Sequence, residues 1–351
     1  MREVAIARDL VRAVRHAVVP GLTPPRHLRI TPYVAHGGDS GVVVRGRVVD
    51  GEAPSEAVAD EGTRAAVNRT ISRFTAVGLE GVSLRVRVGG VEGVTTTDGD
   101  GHFVLELRPG PGALRGPWDE GWVELAGEYR GVRDPHRSTF RVLVPAADAG
   151  IGIISDVDDT IVVTGAQRAV RMVLSTLTGS YLTRQPMAGA AELYRGLADA
   201  GPCRRPFFYV SSSPWPLFDF LVSFLDHRGF PDGPLLLRAV SGASRDAGSH
   251  ASHKRAMIAE ITRTHPAHWF VLIGDSGQHD PQIYAAAVRA EPDRFAAVYI
   301  REVRRDPSDR RVETVLDDWR EDVPFVLVEG SAQIAEDLAA PDDGLSKDGH
   351  R

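Results

Sequence analysis

Three aspartates stand within four positions after a short apolar run, in the stretch IGIISDVDDT at residues 151–160. In an extended strand successive side chains alternate between the two faces, so Asp156 and Asp158 project to the same side. Two carboxylates held together repel each other and lose water, unless a cation lies between them. Such oxygen ligands suit Mg²⁺, which usually binds a few carboxylates together with water and substrate phosphate. The stretch therefore predicts a magnesium site that handles phosphate.

A run of serines follows a predicted strand in FFYVSSSPW. Pro214 is typical of the first turn of a helix, and serine is typical of the cap before it. Hydroxyls and free backbone N–H groups at a helix N-terminus bind anions. Ser211 and Ser212 are alternative candidates for a phosphate contact, and the register of the strand favours Ser211.

Two further segments carry a charged residue beside a predicted element. In SHASHKRAMIAEI, Lys254 lies near the start of a helix, and its compact ammonium group suits a phosphate. In VLIGDSGQHD, Asp275 ends an apolar strand and Asp280 follows in a loop, where glycines allow a sharp turn. Asp280 could equally be the N-cap of the helix that follows it.

The segments that position these residues alternate between apolar strands and helical patterns. This alternation is typical of a parallel sheet covered by helices on both faces. Such sheets bind ligands at the carboxyl ends of their strands. The predicted strands are 151–155, 207–211, 234–238, 269–275 and 296–301, and the predicted helices are 166–177, 189–200, 214–228, 252–264 and 280–290.

Residues 30–145 have a different pattern, with period-two alternation and many β-branched residues. Turn residues separate the alternating segments, as in DGDG before HFVLEL. We expect an antiparallel β-sandwich, interrupted by a helix at 64–74. The predicted strands are 42–50, 82–88, 102–107, 121–129 and 138–145.

Length and composition limit the class of protein. The chain has 351 residues, 42% of them hydrophobic and 25% charged, which predicts about two folded domains. A net charge of −6 argues against a general nucleic-acid-binding protein, so we expect no nucleic-acid partner. Cys203 is the single cysteine, which excludes intramolecular disulfides and favours a reducing compartment, the cytoplasm.

The two ends of the chain are expected to lie outside the folded domains. Residues 1–29 are predicted to be a basic amphipathic helix and a linker, and the helix would pack on its own domain or make peripheral contact with a membrane. No stretch is long and apolar enough for a membrane span. The predicted division is a β-sandwich domain at 30–148, an α/β domain at 149–338 and a disordered tail at 339–351.

The motifs follow one another in the order found in the haloacid dehalogenase superfamily of phosphotransferases, which this chain therefore resembles. That order is DxDxT, a strand-end serine, a lysine and GDxxxxD. The segments SDVDDTI, PMAGAAELYRGL, FFYVSSSPW, GFPDGPLLLR, SHKRAMIAEI and IGDSGQHDPQIY, with YVAHGGDSGVVVRGRV upstream, resemble more narrowly the fungal actin-patch-associated phosphatidate phosphatase family and its bacterial relatives. This resemblance spans roughly residues 30–305. It implies a Rossmann-like parallel sheet of the haloacid dehalogenase type with a small cap, and a Mg²⁺-dependent phosphatase acting on phosphatidic acid.

The resemblance implies a role for each acidic residue of the first and last motifs. Asp156 would attack phosphorus and form an aspartyl-phosphate, while Asp158 would act as general acid and then general base. Mg²⁺ would be bound by Asp156, by the backbone carbonyl of Asp158 and by Asp275. ATPases of the superfamily carry threonine where Asp158 stands, so Asp158 favours a phosphatase.

The same resemblance implies that Ser211 binds a phosphoryl oxygen and that Lys254 screens the nucleophile and the phosphate. Asp280 would orient metal-bound water or the lysine. Two alternatives keep other substrates or roles open. The first is the same chemistry on a soluble phosphomonoester, and the second is a non-catalytic binding protein that uses the β-sandwich.

Zinc is not expected, because the spacing of His250, His253 and His279 matches no structural zinc pattern.

Overall fold

The computed structural model describes residues 24–51, 77–146, 150–157, 189–200, 203–238, 250–276, 279–302, 309–330, 333–334 and 336–337. The predicted N-terminal amphipathic helix, the predicted helices at 64–74 and 166–177 and the tail at 339–351 lie outside these residues. Within them, the strands form one sheet of nine strands and a second sheet of six.

The first sheet is largely antiparallel and comes entirely from the N-terminal part of the chain. Its strands are β1 (Leu28–Pro32), β2 (Ala35–Gly38), β3 (Gly41–Asp50), β4 (Val77–Gly78), β5 (Ser83–Val88), β6 (Val91–Thr96), β7 (His102–Leu107), β8 (Trp118–Leu125) and β9 (Ser138–Leu143). The main path runs β1-β3-β2-β9-β8-β5-β6, and β4 and β7 also pair with β3. Among the described strand pairs of this first sheet, only β2–β9 is parallel.

The strands predicted to form a sandwich belong to one continuous hydrogen-bonded sheet that curls around an apolar core. Strand β3 allows this because it is ten residues long and pairs along both edges, with β1 and β2 on one side and β7 and β4 on the other. The antiparallel alternation that predicted these strands is confirmed, most clearly in β5, where exposed and buried residues alternate without a break. We call this element the curled sheet.

Four strands of the curled sheet were not predicted, namely β1, β2, β4 and β6. Strand β6 lies in a segment that is dense in turn residues, and no strand was predicted there. A two-residue turn at Gly89 and Gly90, both with positive φ, joins β5 to β6 as a tight hairpin. The predicted turn before β7 is confirmed, because Gly101 N donates to Asp98 O at 2.9 Å.

The second sheet is parallel throughout, as the alternation of strands and helices predicted. Its order is β12-β11-β10-β13-β14-β15. The strands are β10 (Ile151–Asp156), β11 (Phe207–Pro214), β12 (Leu235–Arg238), β13 (Trp269–Asp275), β14 (Phe295–Arg301) and β15 (Phe325–Val328). Strand β15 was not predicted.

Helices cover both faces of the parallel sheet. They are α1 (Ala190–Asp199), α2 (Phe218–His227), α3 (His250–Thr264), α4 (Asp280–Ala290) and α5 (Asp309–Asp317). Helices α1 and α2 pack into the apolar core on one face, and α3, α4 and α5 pack into the core on the other. The predictions for α1, α3 and α4 are confirmed, whereas α5 was not predicted. None of the helices in the described part of the chain is long and apolar enough to cross a membrane.

The predicted start of the helix after the serine run was wrong. Strand β11 continues through Pro214, because the chain there still pairs with the end of β12 after a register shift. A 3₁₀ turn at Trp215–Leu217 follows, and α2 begins only at Phe218. The serines are therefore strand residues and do not cap this helix.

The curled sheet contacts the core on each face of the parallel sheet. On one face, the ring of Tyr33 stacks on Trp215 at 4.4 Å between centroids and 5° between planes, and lies 4.0 Å from Phe218. On the other, Leu143 of β9 belongs to the core formed by α3, α4 and α5. Aromatic pairs of this kind add to the stabilisation from burial alone.

Replacing Tyr33 with alanine should lower the free energy of unfolding by about 3 kcal/mol, because it removes a buried ring and leaves a cavity. Urea unfolding followed by Trp fluorescence measures this change. Val94→Ala is the matched control on the curled sheet, since Val94 is 60% exposed and should change stability by less than about 0.5 kcal/mol. A Tyr33→Ala variant as stable as the control would contradict the described packing.

Candidate active site

Two aspartates lie side by side at the carboxyl edge of the parallel sheet. Asp156 is the last residue of β10 and Asp275 is the last residue of β13, and these strands are neighbours. Asp280, the first residue of α4, approaches them from the loop that follows β13. All three side chains are 0% exposed, and one carboxylate oxygen from each lies within 4.8 Å of the others. Asp158, also predicted for this site, lies outside the described residues.

Lys254 provides a positive charge in direct contact with two of the three aspartates. It extends from the second turn of α3, is 1% exposed, and places Nζ 2.7 Å from Asp156 Oδ1 and 2.5 Å from Asp280 Oδ1. Burial lowers the pKa of Lys254, but the charges of Asp156 and Asp280 and the hydrogen bonds to them outweigh burial and raise it above its ordinary value. The ammonium therefore stays charged at neutral pH.

Position 254 is a lysine in a chain whose basic residues are almost all arginines. Of its 41 basic residues, only Lys254 and Lys347 are lysines, and all the others are arginines. A lysine presents a compact charge with three donors, whereas an arginine needs room for its planar group. The narrow space between two buried carboxylates accounts for a lysine here.

Asp280 reaches the cluster because the next-to-last residue of β13 is a glycine, Gly274. A Cβ on Gly274 would lie 2.7 Å from Asp280 Oδ2 and 2.7 Å from Tyr284 Cε2, so a side chain there would displace them. The backbone N–H of Asp275 also donates to Asp280 Oδ2, at 3.4 Å. The alternative role as an N-cap is not seen, since α4 begins at Asp280 and the capping position belongs to His279.

Two buried tyrosines, which the sequence did not mark, support the ends of the acidic strands. The hydroxyl of Tyr194 is 2.7 Å from Ser155 Oγ, which in turn donates to the carbonyl of Asp156 at 2.8 Å. The hydroxyl of Tyr284 donates to the carbonyl of Ile273 at 3.1 Å. Burial raises the pKa of both phenols, so they keep their protons and remain donors.

The serines of β11 lie on the strand next to β10, at the same edge of the sheet. Ser211 is 0% exposed, and its Oγ accepts a hydrogen bond from Ser213 N at 2.9 Å. Ser212 is 8% exposed, and its Oγ has no hydrogen-bond partner within the described part of the chain. Both serines therefore lie at the edge of the sheet that carries Asp156, and both stay candidates for the phosphate contact.

Arg238 contacts the serine run and is a candidate for the site that sequence reasoning missed, although it ends the apolar run PLLLR. It is the last residue of β12, paired in register with Pro214, and its Nε donates to Ser212 O at 3.4 Å. Burial lowers its pKa, but a guanidinium still carries its charge at neutral pH. Strands β12 and β10 are separated by β11 alone, so they lie about 10 Å apart. An arginine side chain on β12 can span most of that distance to a phosphate bound between the two strands.

The donor set fits a divalent cation. Three buried carboxylates and one ammonium leave two negative charges among these four groups, and burial makes such an excess unfavourable. Carboxylate oxygens within 4.8 Å of one another are ligands that Mg²⁺ and similar hard cations prefer. The buried cluster can therefore bind a metal ion. It differs from the predicted ligand set in that Asp280 joins Asp156 and Asp275.

Residues 151–302 match the protein family described as "Phosphatidate phosphatase APP1, catalytic domain". This span contains the aspartate cluster, the lysine, the serines and the arginine described above. Among curated proteins, phosphatidate phosphatase APP1 of Saccharomyces cerevisiae is 35% identical over 192 residues, which is 53% of this chain and 32% of the yeast protein. An uncharacterized protein of Schizosaccharomyces pombe is 32% identical over 46% of this chain and 27% of its own length.

The chain spans about a third of the length of these curated relatives. Among solved structures, a carbohydrate acetylesterase from Xanthomonas citri covers 89% of this chain and 73% of its own, at 10% identity and a TM-score of 0.30. A TM-score this low does not indicate a shared fold.

Gly274→Ala should destabilise the site by overpacking, with a loss of about 1–3 kcal/mol in the free energy of unfolding. Urea unfolding measures it. Gly196→Ala is the matched control, because a Cβ there meets nothing within 4 Å and alanine favours the helix α1 by up to about 1 kcal/mol. Equal stability of the Gly274 variant and the wild type would contradict the close approach of Asp280.

Proposed function

We propose that this chain, whose residues 151–302 belong to the phosphatidate phosphatase APP1 catalytic-domain family, is a Mg²⁺-dependent phosphatase that hydrolyses phosphatidate to diacylglycerol. The observation that carries the proposal is the buried cluster of Asp156, Asp275 and Asp280 around Lys254, inside the matched span. The names of the family and of the yeast relative support the choice of phosphatidate.

The proposed reaction has two steps, both centred on Asp156. A carboxylate oxygen of Asp156 forms a bond to phosphorus as the bond to the lipid oxygen breaks, and Asp158 gives that leaving oxygen a proton. Water then attacks phosphorus, Asp158 takes a proton from that water, and inorganic phosphate leaves as the Asp156 carboxylate is regenerated. The bound Mg²⁺ would neutralise charge on the phosphoryl group, with Asp156, the Asp158 backbone carbonyl and Asp275 as its proposed ligands.

The remaining residues would hold the nucleophile and the phosphate in place. Lys254, 2.7 Å from Asp156, would orient this carboxylate and offset the charge of the approaching phosphate. Asp280 holds the ammonium in that position through its own 2.5 Å contact. Ser211, with Ser212 as the alternative, would donate to a phosphoryl oxygen, and Arg238 would bind a second oxygen from the far side.

The organisation we propose follows the same chemistry. Residues 149–338 would form a phosphatase domain of the haloacid dehalogenase type, with a small cap between Thr160 and Ser211. The curled sheet would correspond to the β-sandwich domain at 30–148, with residues 1–29 and 339–351 flanking the two domains. The single cysteine, Cys203, favours the cytoplasm. Because phosphatidate resides in membranes, the protein would also make peripheral contact with a membrane surface.

Asp156→Asn should reduce phosphate release by at least about a thousandfold, because an amide cannot attack phosphorus. The assay uses para-nitrophenyl phosphate and phosphatidate in detergent micelles, with MgCl₂. Chelation with EDTA should abolish release by the wild type, and added Mg²⁺ should restore it. Equal release by wild type and Asp156→Asn would contradict the nucleophile, and release of phosphate from the aryl ester alone would contradict phosphatidate as the substrate.

Arg238→Gln should raise the KM for both substrates about tenfold to a hundredfold while kcat changes less, because a charge-assisted contact to the bound phosphate is lost. Steady-state kinetics measures the two constants separately. Arg133→Gln is the matched control, since Arg133 lies between β8 and β9, is 83% exposed and should leave KM unchanged. An unchanged KM in Arg238→Gln would remove Arg238 from the site.

A further inference from the structure

Helix α3 carries Lys254, and residues of the curled sheet contact this helix six residues further on. Glu260 faces the curled sheet and is held by Arg45 of β3 and His36 of β2. Arg45 Nη1 donates to Glu260 Oε1 at 2.8 Å, and Arg45 Nη2 makes a very short contact with Glu260 Oε2. This two-point contact fixes the carboxylate in one orientation.

The contact is buried, which distinguishes it from the other ion pairs between the two parts of the chain. The side chains of Arg45 and Glu260 are each 12% exposed, and that of His36 is 1% exposed. Burial raises the pKa of Glu260, but the hydrogen bonds from His36 and Arg45 and the charge on Arg45 outweigh it and lower the pKa to about 2. The carboxylate is therefore ionised at neutral pH.

A chain of hydrogen bonds extends the contact into the end of α3. His36 Nε2 lies 3.2 Å from Glu260 Oε1, and His36 Nδ1 lies 3.1 Å from Nε2 of His265, just after the helix. Burial lowers the pKa of both histidines, so both rings are neutral at neutral pH. Because a carboxylate only accepts, His36 donates to Glu260 and accepts from His265. The curled sheet thus contacts α3 at Glu260 and the chain just after the helix at His265.

Lys254 and Glu260 belong to the same helix, so a contact that fixes α3 at Glu260 also bears on the position of Lys254. Six residues along an α-helix correspond to about 9 Å, less than two turns, so a shift of the helix at Glu260 also moves the backbone that carries Lys254. Lys254 Nζ lies between Asp156 and Asp280 at 2.7 and 2.5 Å, so a displacement of about one ångström away from either carboxylate would stretch that contact beyond the usual hydrogen-bond range.

We propose that Arg45 and His36 of the curled sheet are positioning residues for the active site, and that they act by holding α3 through Glu260 so that Lys254 lies between the two aspartates. This gives the curled sheet a role in the reaction that its sequence does not reveal. The inference deepens the phosphatase proposal, and the first test below is independent of turnover.

The first test measures how accessible Lys254 is to a chemical reagent. The chain has two lysines, so the folded protein can be acetylated with an N-hydroxysuccinimide ester and then digested, and mass spectrometry of the peptides gives the rate at Lys254 relative to Lys347. In the wild type Lys254 should react slowly, because it is buried and protonated. In Glu260→Gln and in Arg45→Gln its rate relative to Lys347 should rise at least about tenfold, since the buried pair that holds the helix is broken.

Two matched controls separate positioning from loss of stability. Glu106→Gln breaks another contact between the curled sheet and α3, the 3.6 Å pair with Arg263, but both side chains are well exposed and the rate should stay unchanged. Val86→Ala weakens the core of the curled sheet without touching α3. The proposal is overturned if Val86→Ala lowers the melting temperature as far as Glu260→Gln does and raises Lys254 acetylation equally. It is also overturned if neither Glu260→Gln nor Arg45→Gln raises the acetylation rate.

The second test is a double-mutant cycle on phosphate release. Glu260→Gln should lower kcat about tenfold in the wild type and less than about twofold in a Lys254→Met background, because both changes act through the same ammonium. Equal factors in the two backgrounds would overturn positioning through Lys254. If wild-type protein releases no phosphate, the proposed function fails, and the acetylation result alone decides the inference.

Discussion

The site depends on one constraint, which is that three carboxylates with no exposed surface must lie together at the edge of an apolar sheet. Repulsion and desolvation both oppose this arrangement. Lys254 offsets part of the charge directly, at 2.7 and 2.5 Å from two of the carboxylates. The remaining negative charge is what makes the cluster suited to a divalent cation and, with it, to a phosphoryl group.

The rest of the structure can be understood as the means of meeting this constraint. Parallel strands bring Asp156 and Asp275 side by side because adjacent strands end at the same edge. Gly274 leaves room for Asp280 to turn back, and the hydroxyls of Tyr194 and Tyr284 hold the backbone beneath the cluster. Helix α3 carries the ammonium of Lys254, and the curled sheet contacts that helix at Glu260.

Much of this could be predicted from the sequence, for reasons that are local. Asp156 and Asp275 each end an apolar run, and Lys254 begins a helical pattern, so their places at one edge followed from strand and helix periodicity. Other features depend on contacts distant in sequence. Arg45 and Glu260 are 215 positions apart, and no local pattern marks either residue. Arg238 ends an apolar run, and nothing in its local sequence distinguishes it from any other polar residue at a strand end. The serine run before Pro214 resembles a helix cap, and only its pairing with β12, which depends on tertiary structure, shows that it is strand.

The central claim is that Asp156 and Asp275, with Asp280 and Lys254 beside them, form a centre for a divalent cation. Anomalous diffraction from crystals soaked in MnCl₂ tests it most directly, since Mn²⁺ takes the same oxygen ligands as Mg²⁺ and scatters anomalously. The account predicts a strong peak about 2 Å from carboxylate oxygens of Asp156 and Asp275. A well-ordered cluster without a peak there, or a peak only at some other place on the protein, would contradict it.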